Sequence, residues 1–307
     1  MISRRNIRVK VMQIIYTLET GGSLDLPDES VRSLEKQFVQ SRQLFVYLIY
    51  FITELTRYVE TDSRIRSGKH LPTEADRNIN TKLAGNEIIQ EVLKDASFKL
   101  AMQKDKPQAF ENRSIIKKLY LLLAESAEYK DYLQSPRGKK SEKEILEVIL
   151  TNIVLPSESF ENHMEDTFTN WHDDAEMLVQ LLPGYFSKPH SYDLQDFLGQ
   201  EKWAFAKDLL LTTLEKKETT LDLIHPKLKN WEPERIAILD MILMRMGVCE
   251  FLYFETIPPK VTINEYIDLA KEYSTQQSGQ FVNGILDNIH KDLARENRLH
   301  KVSFKHK

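Results

Sequence analysis

Apolar positions recur at helical spacing from the start of the chain. Ile7, Val11, Ile14 and Leu18 form one stripe behind Ser3, which suits an N-cap, and Gly21-Gly22-Ser23 ends the run. At 100° per residue, Arg5, Arg8 and Tyr16 fall on one flank, away from the centre of that stripe. A cationic group and an aromatic ring are therefore expected on one exposed flank. The next helix, over about 34–61, is far more apolar. Leu44, Leu48, Ile52, Leu55 and Val59 make its stripe, and Phe45, Tyr47, Tyr50 and Phe51 fill its sides, so burial over most of its surface is expected. Residues 63–77 are polar, contain Gly68 and Pro72, and read as a loop. Weaker helical patterns follow near 81–103, 109–134, 141–154 and 158–182, then 200–216 and 218–229, with Pro107, Pro136-Arg137-Gly138, Pro156 and Pro183-Gly184 as punctuation. Near the end, Val282, Ile285, Leu286, Ile289 and Leu293 form another buried stripe. No segment alternates with a period of two over a strand length, and the pattern predicts an all-helical fold.

Composition agrees. Gly and Pro together supply 21 of 307 residues, about half the usual share, which argues against sandwiches, barrels and Gly-rich loops. A single cysteine, Cys249, excludes a disulfide framework or a Cys-based zinc module and fits a reducing compartment. The longest apolar run, Leu44 to Ile52, is too short to cross a bilayer. The N-terminus does not read as a signal peptide, and a cytoplasmic location without membrane association is expected.

The net charge of −4 argues against nucleic acid, but its distribution does not. Residues 1–20 hold four basic groups and one acid, whereas residues 21–199 hold 22 basic and 29 acidic groups. Residues 200–307 balance at 16 each, with six Lys or Arg from Lys291 onward. Basic ends thus flank an acidic middle, and local patches decide where a polyanion docks.

Beyond residue 229 the sequence becomes distinctive. Asn230-Trp231 precedes Arg235-Ile236-Ala237, Asp240, Leu243-Met244-Arg245 and Glu250; Ile257-Pro258 leads into Lys260-Val261-Thr262-Ile263-Asn264-Glu265 and Asp268-Leu269-Ala270-Lys271; Phe281-Val282-Asn283-Gly284-Ile285-Leu286 follows. This resembles the carboxy-terminal half of the NusB transcription antitermination family. Arg4-Arg5-Asn6-Ile7-Arg8 with Gln13-Ile14-Ile15-Tyr16 resembles that family's first helix, and Trp203 to Leu228 its second and third. The resemblance implies a NusB-like helical bundle made of 1–20 and 200–295, an inserted helical subdomain over 21–199, and a basic tail over 296–307. The insert has no counterpart in an ordinary member.

The motifs also have a physical reading. Thr262-Ile263-Asn264-Glu265 fits a capping box, a structural device. Lys271 ends the same helix, where a cation suits the dipole or could meet a phosphate. Phe281 lies about 90° from the stripe of the last helix and either packs on a neighbour or offers a platform for an unpaired base. Gln277, Ser278 and Gln280 sit in or before the first turn, where free N–H groups suit phosphate oxygens. Gly284 is expected to permit a close helix contact. Asn283 is a candidate contact. Arg245 is expected to pair with Glu250 or another acid. His163 and His172 are too far apart in sequence to share a metal on one helix, and no phosphate loop, GxGxxG or HExxH occurs.

The resemblance then implies a non-enzymatic adaptor without cofactor or metal. It would bind boxA-like single-stranded RNA together with NusE, a small-subunit ribosomal protein, within the RNA polymerase antitermination complex. Arg4, Arg5, Arg8, Tyr16, Lys271, Gln277, Gln280, Phe281 and Asn283 are the candidate RNA contacts, and Asp240 matches the position that faces NusE. The alternatives are an rRNA-modification or ribosome-biogenesis factor using a NusB-like RNA-binding domain, and a protein scaffold in which the acidic insert is the active part. The insert is expected to pack on the core through residues 44–59 and to favour basic proteins over RNA.

Overall fold

A computed structural model describes residues 2–21, 27–228 and 236–302. Among them every regular element is helical. Asn230, Trp231 and Arg235, and the tail beyond residue 302, lie outside the described residues. The chain divides into two compact units, one of Phe38–Phe197 and one of Ile2–Gln37 with Leu198–Lys307.

Helix α1 spans Arg4–Glu19 and α2 spans Pro27–Ser67. The middle unit holds most of α2, followed by α3 (Glu74–Arg77), α4 (Glu87–Lys94), α5 (Ala96–Asp105), α6 (Arg113–Glu125), α7 (Ala127–Gln134), α8 (Lys139–Val148), α9 (Glu158–Thr167) and α10 (Trp171–Ser187). Its core is the apolar stretch of α2. Leu44, Leu48, Ile52, Leu55 and Val59 are buried, Phe45 meets Tyr185 and Phe197, and Phe51 meets Phe160 with ring centroids 4.9 Å apart. Residues 44–59 are thus the centre of their own unit.

Several expected helices are subdivided, because side chains cap new starts. Asn86, Asp95 and Ser126 accept hydrogen bonds from the backbone N–H groups of Ile89, Phe98 and Tyr129, and these contacts begin α4, α5 and α7. The expected loop from residue 63 is partly helix, since α2 runs on to Ser67 and Thr73 caps α3. Helix α10 continues through Pro183-Gly184, where the Tyr192 hydroxyl fills the space a Cβ on Gly184 would need.

The terminal unit contains α1, the start of α2, α11 (Gln200–Glu215), α12 (Lys217–Ile224), α13 (Ile238–Tyr253), α14 (Pro259–Tyr273) and α15 (Ser278–Arg295). Ser3 caps α1 by accepting from the Asn6 N–H at 3.2 Å. Helix α13 is the axis of this unit. Every residue from Ile242 to Phe251 is buried, and α1, α11, α12, α14 and α15 all pack on it. Val282, Ile285, Leu286, Ile289 and Leu293 seat α15. The close approach between α13 and α15 falls at Gly247, whose added Cβ would lie 3.0 Å from Leu286; Gly284 has open space around it. The apolar stripes were therefore sound, but the glycine at the close contact is on the other helix.

Candidate nucleic-acid interface

Arg8 is 2% exposed and does not belong to the surface. Its Nε donates to Glu250 Oε1 at 2.7 Å and its Nη2 to Oε2 at 3.1 Å. A third bond, from Nη1 to Glu265 Oε2, is 3.3 Å. The Thr262 and Tyr266 hydroxyls donate to the same Glu250 carboxylate, both at 2.9 Å. The guanidinium also lies over the rings of Phe205 and Tyr266, 5.6 and 5.8 Å from their centroids. Burial opposes the Arg8 charge, but Glu250 and Glu265 outweigh it and raise its pKa. Burial and Glu250 together hold the Tyr266 phenol well above its usual value. Expecting Arg8 at an RNA surface is therefore corrected: Phe205 of α11, Glu250 of α13 and Glu265 and Tyr266 of α14 surround its side chain. Thr262 is corrected too. Helix α14 already starts at Pro259, so Thr262 sits inside it and serves Glu250 rather than a capping box.

Arg4 and Arg5 remain on the surface. Arg4 pairs with Glu201 at 2.8 Å and Arg5 with Glu272 at 2.6 Å. Lys271, next to Glu272, has its ammonium 3.7 Å from Asp268. The Lys271 stem packs over Gly279, where an added Cβ would lie 2.7 Å from Lys271 Cγ. The end of α14 thus brings Arg5 close in space to the first turn of α15. Surface ion pairs of this kind contribute only about 0–1 kcal/mol, so exchanging a carboxylate for a phosphate costs little.

Gln277 and Gln280 are exposed at that first turn, as is Asn283 one turn later; Phe281 is half-buried. The Ser278 and Gln280 N–H groups expected to be free are already bonded: Ser278 N donates to Thr275 O, and the Gln280 and Phe281 N–H groups both donate to Gln277 O. Tyr16 is 41% exposed, about 16 Å along α1 from Arg5 by helical rise. The described geometry does not bring Tyr16 to the α15 turn.

Asp240 is also displaced from its expected role. It is 5% exposed, and its Oδ2 accepts from the Ser278 hydroxyl at 2.8 Å, tying the first turn of α13 to that of α15. A buried carboxylate cannot face a partner. Arg245 pairs with Glu19 at 2.5 Å rather than with Glu250, and its Nη2 donates to Thr213 O. Burial opposes ionisation of Glu19, but Lys217 and Arg245 hold its pKa below the usual carboxylate range. Cys249 is buried, and burial pushes its thiol up to about 12, which leaves it unreactive.

The sequence pattern missed the Glu250 network. One signal was present: Glu250 is an acid within an otherwise apolar run, and such a charge needs a buried partner.

A family model described as "NusB family" matches residues 176–291, from within α10 to within α15. A transcription antitermination protein NusB of Salinibacter ruber is 46% identical over 98 residues, covering 32% of this chain and 61% of that protein. That of Methylacidiphilum infernorum is 42% identical over 106 residues, 34% of this chain and 74% of that protein. That of Bacillus mycoides is 42% identical over 91 residues, covering 30% and 70%. The chain spans less than two thirds of the Salinibacter relative. No solved structure matches. No helix among the described residues is long and apolar enough to cross a membrane.

Proposed function

The chain belongs to the NusB family, and from that premise we propose that it is an RNA-binding transcription antitermination adaptor. It works in the cytoplasm, binding boxA-like single-stranded RNA together with NusE as part of the RNA polymerase antitermination complex. The carrying observation is that the family match at 176–291 contains Lys271, Gln277, Gln280, Phe281 and Asn283, four of them exposed around one helix start.

In this reading Arg4, Arg5 and Lys271 release their carboxylates and take phosphates, which sets register without choosing sequence. Tyr16 and Phe281 contact unpaired bases, while Gln277, Gln280 and Asn283 meet base edges or sugars. Arg8 and Asp240 contribute from the interior, by fixing α1 on α13 and α13 on α15. The residues from Phe38 to the start of the family match at 176 are a folded helical addition that follows α1.

The test is fluorescence anisotropy with a boxA RNA and a scrambled strand, each with and without NusE. Tighter binding to boxA, strengthened by NusE, is expected. Equal binding to both strands under all conditions would overturn the reading.

A further inference from the structure

His172 does not stand with His163, whose Nε2 is taken up by the Tyr47 hydroxyl at 2.5 Å. Its neighbours are carboxylates on the preceding helix. Glu161 and Glu165 stand one turn apart on α9, and His172 lies in the first turn of α10. One ligand atom from each of the three lies within 4.8 Å of the other two. His172 Nε2 is 3.3 Å from Glu165 Oε1. Two donors held roughly 2.0–2.1 Å from one zinc ion at a tetrahedral angle are about 3.3–3.4 Å apart, so this pair already has the spacing of coordinated atoms.

Glu161 is also fixed in place. The Trp171 indole N–H donates to its Oε1 at 2.8 Å, and the indole is itself buried, edge-on to Phe160 with ring centroids 5.9 Å apart. A hydrogen bond of this kind orients a carboxylate and leaves its other oxygen to bind an ion. Charge points the same way. Residues 144–187 contain nine Asp or Glu and no Lys or Arg. Among the described residues no Lys or Arg pairs with Glu161 or Glu165. Neighbouring carboxylates without a fixed cation repel each other and favour a mobile one between them.

We propose that Glu161, Glu165 and His172 bind one divalent transition-metal ion, zinc above the others, with water in the fourth position. The imidazole nitrogen favours zinc over Mg²⁺ and Ca²⁺, which take oxygen ligands. The ligands come from two helices, so the ion ties α9 to α10 across residues 168–170. Glu165 and His172 are exposed, which leaves the ion exchangeable with solvent. All three residues lie in the middle unit and precede the family match at 176, so the site does not depend on the RNA interface proposed above.

The probe is Zn²⁺, titrated by calorimetry into the full-length chain after dialysis against a chelator, with Ca²⁺ and Mg²⁺ as comparisons. The tightest zinc site should saturate in the micromolar range and raise the melting temperature, because the ion binds the folded chain. Ca²⁺ and Mg²⁺ should bind far more weakly; an acidic surface that merely gathers cations would hold all three alike. His172→Ala and Glu165→Gln, both at exposed positions, should leave the melting temperature of the metal-free chain unchanged. Each removes a ligand and should lower zinc affinity at least as much as the roughly 10–100-fold lost with an orienting partner. Trp171→Phe, which removes the N–H bound to Glu161, should weaken zinc binding within that range. Saturation only at millimolar Zn²⁺, Ca²⁺ binding as tightly as zinc, or wild-type zinc affinity in either His172→Ala or Glu165→Gln overturns the proposal.

Discussion

Arg8 and Glu250 form a two-point ion pair in the interior of the terminal unit, with side chains 2% and 0% exposed. It joins the first helix of the sequence to one that begins more than two hundred residues later. Two further hydroxyl donors complete the carboxylate, so no charge is left uncompensated. Removing one partner of such a pair exposes the other to an apolar interior, at about 3–5 kcal/mol. Arg8→Ala should therefore lower the unfolding free energy obtained from urea titration by that amount. The double variant Arg8→Met with Glu250→Gln should cost less than the sum of the singles, since the pair is coupled. Additive losses in a double-mutant cycle would show that the contact carries no interaction energy.

Arg5 behaves differently because its pair with Glu272 is open to solvent. Arg5→Ala should change stability by less than about 0.5 kcal/mol. It should flatten the dependence of log K on log salt for single-stranded RNA by about 0.7. Glu272→Gln frees the guanidinium and should tighten RNA binding. An unchanged salt slope in Arg5→Ala would place the RNA elsewhere.

Tyr16 tests the aromatic half of the interface. Its ring is exposed, so Tyr16→Ala should leave the melting temperature in place. Stacking is worth about 1–3 kcal/mol per base, which predicts at least a several-fold loss of RNA affinity, largely restored by Tyr16→Phe. Phe281→Ala should act in the same direction, with some loss of stability because the ring is half-buried. Wild-type affinity in both variants would remove stacking from the mechanism.

How much of this was legible depends on what each residue's placement required. Stripes such as Val282, Ile285, Leu286, Ile289 and Leu293 follow from the period of a helix, and they hold in the structure. A helical wheel sets Arg8 off the centre of its stripe. It cannot say how wide the covered face is, and Arg8 meets side chains from α11, α13 and α14. Caps at Asn86, Asp95 and Ser126 depend on single side-chain bonds, which leave no period to detect. Thr262 matched a local pattern, but Pro259 starts the helix earlier. Lys271 and Gln280 kept their exposed positions because both lie away from the seam with α13.

Glu19 gives the terminal unit a pH dependence. Its folded pKa lies below the unfolded value because Lys217 and Arg245 outweigh its burial. The unfolded state then binds more protons across that interval, so stability rises with pH there. The contribution is complete above the unfolded carboxylate pKa, near 4.3, and is lost as pH falls through the lower folded value. Glu19→Gln should flatten this acid limb in urea titrations. An acid limb identical to the wild type would mean the Glu19 contacts do not persist in solution.

Asp240 supplies the sharpest separation between an interior and an interface role. Its carboxylate sits in the first turn of α13, where the helix dipole favours a negative charge, and receives the Ser278 hydroxyl from the first turn of α15. Ser278 Oγ in turn accepts from Thr275 N at 3.2 Å and lies 3.0 Å from the Ser274 hydroxyl, so one residue organises the whole α14–α15 turn. That turn carries Gln277 and Gln280. Asp240→Asn keeps the shape and an acceptor oxygen but removes the charge, and a charged hydrogen bond is worth about 1.5–3 kcal/mol. Asp240→Lys places a cation where the dipole and the burial both oppose it, and should destabilise further. Ser278→Ala should reproduce the Asp240→Asn loss, because it breaks the same contact from the other side. If the contact acts only through the fold, both variants should weaken RNA binding in proportion to their effect on α15, and NusE binding measured below their melting temperatures should follow the folded fraction. Loss of NusE binding by Asp240→Asn alone, with Ser278→Ala unaffected and both melting near the wild type, would return Asp240 to the protein interface.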